Sequence, residues 1–151
     1  MAETSQAMIY EEARQAIGRQ QAVLDGLRSR AGTLFAASSL VTAFLGGQAL
    51  TRDNELDLFA WLAISSFVLL FALVLAILWP WGFRFVLSAR ILITDHRQKS
   101  VPELETYLAE IWEKNYDLNQ VRIDQLFWLF RGACVFLSLE VVVWLARLGR
   151  G

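Results

Sequence analysis

An uncharged run from Leu58 to Phe83 constrains this chain more than any other feature. Its centre, Phe67 to Leu78, holds nothing more polar than alanine. A helix of about 20 residues rises roughly 30 Å, the thickness of a bilayer's hydrocarbon core. The run therefore reads as a membrane span that ends near Pro80, where proline interrupts the helix and Trp79 and Trp81 suit the headgroup level. Hydrophobic residues make up 56% of the 151 and charged residues 19%, a balance that predicts an all-α integral membrane protein.

Two further segments match the first in length. Ala31 to Thr51 is uncharged and lies between Arg28 and Arg30 on one side and Arg52 and Asp53 on the other. Leu126 to Ala146 is as apolar except for Arg131 and Glu140. The chain divides accordingly into a cytoplasmic amphipathic helix (1–30), a first span (31–51), an outer loop (52–57), a second span (58–80), a cytoplasmic helical segment (81–122) and a third candidate span (126–146). A rival arrangement lays 126–146 along the interface or against the hairpin, because charges within a span are costly. The polar residues ahead of the first span, and its length, argue against a cleaved signal peptide. No internal repeat or Pro/Ser-rich linker sets off a separate soluble domain.

Orientation follows from the basic residues. Arg14, Arg19, Arg28 and Arg30 precede the first span, Arg52 alone lies between the first two, and Arg84, Arg90, Arg97, Lys99, Lys114 and Arg122 lie between the second and third. The positive-inside rule places the N-terminus and 81–122 in the cytoplasm of a multi-pass protein of the cell (inner) membrane. Arg147 and Arg150, carried outward by a third span, run against that rule.

The cytoplasmic parts are patterned as helices. Ile9, Ala13, Ile17, Leu24, Leu27, Ala31 and Leu34 recur at spacings that fit one helical face, which predicts a helix entering the first span without a break. Ser100, Val101, Pro102 and Glu103 form a capping box that opens a second helix to Gln120. Its apolar stripe is Leu104, Leu108, Ile111 and Leu118, with Tyr107 and Trp112 one step off. Phe83 to Thr94 reads as a helix leaving the second span, or as a stretch lying on the membrane.

Fourteen basic against fifteen acidic residues leave no basic field for nucleic acid. A single cysteine, Cys134, and a single histidine, His96, exclude an intramolecular disulfide and a His/Cys zinc site. The sequence has no Gly-rich phosphate loop, HExxH or GxSxG, so neither an enzyme nor a cofactor is expected.

Arg131 and Glu140 are the first functional candidates, because intramembrane charges are expensive. Nine residues apart, they point to opposite helix faces about 13 Å apart and cannot pair. The threading puts Glu140 within reach of Gln48 and Arg52, and Arg131 near Thr33 and the Trp79 and Trp81 rings. Two readings stand: Arg131 snorkels to headgroups while Glu140 is satisfied by a neighbouring helix, or both serve ion passage. Ser39, Ala43 and Gly47 form a small-residue stripe, with Ser38, Thr42 and Gly46 beside it, suited to close helix packing. Its partner is either the Ala72 and Ala76 surface of the second span or another subunit. Asp53, Glu55 and Asp57 read as a polar turn in which Asp57 caps the second span.

The run Leu24, Asp25, Gly26, Leu27, Arg28, Ser29, Arg30, Ala31, Gly32, Thr33, Leu34 passes from a helix into a first span, and a short turn leads to a second span ending in tryptophan and proline. Over residues 20–82 this resembles the SLATT and Pycsar-type transmembrane effector modules of bacterial antiphage defence. The resemblance implies oligomerisation and membrane damage on triggering. Arg28 stands where the Pycsar-type modules tend to carry an acidic residue, and no nucleotide-sensing domain is present, so sensing would fall to a partner protein. Two function classes follow: an oligomeric, channel-like or membrane-permeabilising effector, and a non-conducting helical subunit that scaffolds or anchors a partner.

Overall fold

The computed structural model describes residues 2–52, 57–85 and 100–150, the side chains of 2–4, 6, 50 and 52 excepted. Helix α1 covers Ala2–Val41, a π-helical turn covers Thr42–Gly46, and α2 covers Gly47–Arg52. Helix α3 covers Leu58–Leu78 and α4 covers Val101–Leu148. Every regular element among the described residues is helical. Two of them, α3 and α4, are long and apolar enough to cross a membrane.

The start and stop signals act as their chemistry requires. Asp57 caps α3, its carboxylate accepting from the Ala60 backbone N–H at 2.9 Å. Trp79 leaves helical geometry (ψ 139°) because the following Pro80 disfavours the α conformation in the residue before it. Ahead of α4, the Glu103 carboxylate accepts from both the backbone N–H (2.9 Å) and the hydroxyl (2.8 Å) of Ser100.

Three boundaries differ from the sequence reading. The helix opened at Ser100 does not stop at Gln120 but continues as α4 to Leu148, since no proline or glycine stands between Gln120 and Leu126 to break it. The stretch 31–51 is helical throughout but is divided among α1, the π turn and α2, at a place where Gly46 and Gly47 weaken regular helix. Residues 81–85 are not helical, and the remainder of the proposed Phe83–Thr94 helix lies outside the described residues, as do Asp53, Glu55 and His96.

The chain forms two compact units, Met1–Asp25 with Trp81–Asp124, and Gly26–Pro80 with Gln125–Gly151. In the first, most of each periodic stripe faces inward: Ile17 and Leu24 of α1 and Leu108, Trp112 and Ile123 of α4 are buried, while Ile9 and Leu118 are exposed. Gln20 Nε2 donates to the Tyr116 carbonyl (3.0 Å) and to Gln120 Oε1 (3.1 Å). Buried Asn119 accepts from the Arg84 N–H (3.1 Å) and donates to its carbonyl (3.3 Å), which holds the non-helical 81–85 stretch on α4.

The second unit packs α1, the π turn and α2 with α3 and the C-terminal part of α4. Ala49, Ala60, Ala63, Val143 and Trp144 form one core cluster, with Leu45, Phe59 and Leu148 against it. Phe35 packs on Phe67 (6.2 Å between ring centroids) and Phe71 (5.3 Å). Outward, Leu62, Leu69, Leu75, Val135, Val142 and Leu145 stay exposed, far more apolar surface than a water-facing domain normally leaves open.

Asp57 also receives Arg147, whose Nε lies 3.0 Å from its carboxylate. Asp57→Asn keeps a capping oxygen and loses the ion pair, whereas Asp57→Ala loses both. Thermal unfolding in detergent micelles should therefore place the alanine variant below the asparagine variant, by about 1 kcal/mol for the cap alone.

Candidate functional site

Glu140 is the most deeply enclosed ionisable side chain among the described residues, with no solvent exposure. Ser38 donates its hydroxyl to one carboxylate oxygen and Thr42 donates its own to the other. The two donors sit one turn apart on α1 and at the start of the π turn, so both reach the same carboxylate. Each oxygen is thereby answered by a hydroxyl, the condition on which a buried carboxylate persists in apolar surroundings.

One turn further along α4, Trp144 lies against Gly46. A Cβ added to Gly46 would stand 3.0 Å from the indole Cζ2, so only glycine lets the ring reach this depth. Ser38 and Thr42 opposite Glu140, then Gly46 opposite Trp144, show α1 and α4 running parallel in this unit. The next turn brings Arg147 to Asp57. Glu140, Trp144 and Arg147 thus share one face of α4.

Among the described residues, Ser38 and Thr42 rather than Gln48 meet Glu140. Gln48 is exposed and the Arg52 side chain lies outside the described residues. The hydroxyls that meet Glu140 come from positions about two to three turns before Gln48, because the parallel register of α1 against α4 cannot be read from hydropathy. The signal available in the sequence was the Ser38/Thr42 pair at i, i+4, two donors on one face.

Arg131 points outward, opposite to Glu140, as the nine-residue spacing requires. Its guanidinium lies 4.8 Å from the centroid of the Trp128 ring, one turn back on its own helix. Thr33 turns its hydroxyl to the Ser29 carbonyl, and the Trp79 carbonyl accepts from Arg28 at 3.3 Å. Trp81 belongs to the other compact unit. Arg131 therefore takes its aromatic partner from its own helix and not from the end of the second span.

Of the two small-residue stripes, the buried one is Ser38, Thr42 and Gly46. Ala43 and Gly47 are exposed, Ser39 is half-buried, and a Cβ on Gly47 would touch nothing. Ala72 is exposed and Ala76 half-buried, and the stripe that meets α4 is Ser38, Thr42 and Gly46. Where α3 does meet α4 closely, Gly132 makes the room: its added Cβ would lie 3.3 Å from Leu73. Among the described residues no group of three or more His, Cys, Asp or Glu side chains is placed to hold a metal ion.

The Glu140 arrangement predicts a graded series. Glu140→Gln retains groups that both hydroxyls can bond and should unfold close to the native chain, whereas Glu140→Ala leaves a cavity with two orphaned hydroxyls and should lose about 2–4 kcal/mol. Gly46→Val, which drives a side chain into Trp144, should cost about 1–3 kcal/mol and perturb tryptophan emission. Comparison with protein-family models, curated proteins and solved structures finds no match.

Proposed function

We propose that this chain is a non-conducting helical membrane subunit that anchors a partner, with residues 1–30 and 81–122 on the cytoplasmic side. The observation that carries the reading is the closure of Glu140 within a single chain. A pore between subunits needs polar groups facing a shared axis, and this carboxylate is committed to its own α1. The outward apolar faces of α3 and of the C-terminal part of α4 support a lipid setting. The basic residues set the orientation. Pairing of Arg147 with Asp57 weakens the objection that the C-terminal arginines raise against an outward end.

An oligomeric, permeabilising effector of the kind implied by the SLATT and Pycsar-type resemblance is the second reading. The exposed Ala43 and Gly47 favour it, since small residues on an open helix face let a second copy approach closely. Reconstitution into dye-loaded and ion-loaded liposomes separates the two. The anchoring reading expects no release above protein-free vesicles. Sustained release that scales with protein density overturns it in favour of the effector.

A further inference from the structure

The first compact unit keeps an apolar groove of about 420 Å³ between the N-terminal part of α1 and the first turns of α4. Ile9, Ala13, Ala16, Ala109 and Trp112 line it. Three of these five are alanines, too short to fill the space between the helices. At the rim stand Glu12, Glu110 and Glu113. Glu12 is already paired with Arg19 at 2.6 Å, whereas Glu110 and Glu113 have no ion pair among the described residues.

The surrounding charge has the same sign. The compact unit around the groove, residues 1–25 and 81–124, carries eleven acidic side chains against eight basic ones, a net of minus three in a chain whose total is minus one, and among the described lining residues three are glutamates and none is basic. That field decides between occupants. At the groove, the three rim glutamates repel an anionic headgroup, and a second copy would bring the same acidic helices to the same acidic rim. A helix with an apolar stripe flanked by Lys or Arg matches both the floor and the rim.

We propose that this groove is the docking site for a basic amphipathic helix of a partner protein, an assignment that rests on the anchoring reading and names its partner's chemistry. The test uses the full chain in phosphatidylcholine nanodiscs, with empty discs as reference. The probe is a fluorescent helical peptide whose leucine stripe is flanked by lysines, compared with the same peptide bearing glutamates. The lysine peptide should bind at least about tenfold tighter, with an affinity that falls as salt rises.

Glu110→Gln with Glu113→Gln, two exposed and near-isosteric changes, should weaken binding about fivefold and flatten the salt dependence. Ala13→Arg, checked for native helicity, should block the groove. Equal binding of the two peptides, binding that ignores all three substitutions, or no binding above empty discs overturns the assignment. A native chain that dimerises, returns to monomer with Ala13→Arg and takes up no peptide gives the groove to a second copy and overturns it equally. The two failures read differently: liposome flux removes the anchoring reading, whereas silent liposomes with charge-blind peptide binding remove the docking assignment alone.

Discussion

A carboxylate in an apolar bundle survives only if its lone pairs are answered, and Glu140 meets that condition through Ser38 and Thr42. The rest of the second unit is arranged around this contact. Once the two hydroxyls fix α1 against α4 in a parallel register, the next turn must bring Trp144 opposite Gly46, and the absence of a side chain at Gly46 is what admits the indole. The turn after that brings Arg147 to Asp57, the residue that starts α3. One face of α4 therefore ties down α1 with a hydrogen-bonded carboxyl group, keeps it close with an aromatic ring, and secures α3 with an ion pair. Slipping the register by one residue would rotate that face by about 100° and take Glu140 away from both hydroxyls.

The same logic explains what was legible in the sequence. Features that depend on local backbone chemistry are readable: the Asp57 cap, the Ser100/Glu103 box, the termination at Trp79 before Pro80, and the opposite facing of Arg131 and Glu140. Features that depend on register between distant helices are not. Ser38/Thr42/Gly46 and Ser39/Ala43/Gly47 differ by one residue along α1, and small-residue spacing alone cannot say which stripe turns inward. Gln48 is a reasonable neighbour for Glu140 by depth, yet only packing shows that α4 is set about two to three turns away from that alignment. The fusion of two expected helices into α4 has another cause. Polar residues such as Arg122 and Asp124 mark a change of environment, and a helix crosses such a change without interruption unless something removes its hydrogen bonds.

Each compact unit is held together in its own way. In the first unit, polar contacts are plentiful and mutual: Gln20 with Gln120 and the Tyr116 carbonyl, and Asn119 with both backbone groups of Arg84. Water can substitute for such contacts, so burial of Ile17, Leu24, Leu108 and Ile123 supplies most of the association there. The second unit differs if its surroundings are lipid. Helices then gain nothing by hiding leucine from solvent, and association falls to close packing and to the few polar groups that have no other partner. Gly46 against Trp144, Gly132 against Leu73, and Glu140 between its two hydroxyls are contacts of that kind. It follows that the residues deciding the fold of the apolar unit are its smallest and most polar ones, and that its many exposed leucines and valines contribute to placement in the bilayer more than to the choice of one helix arrangement over another.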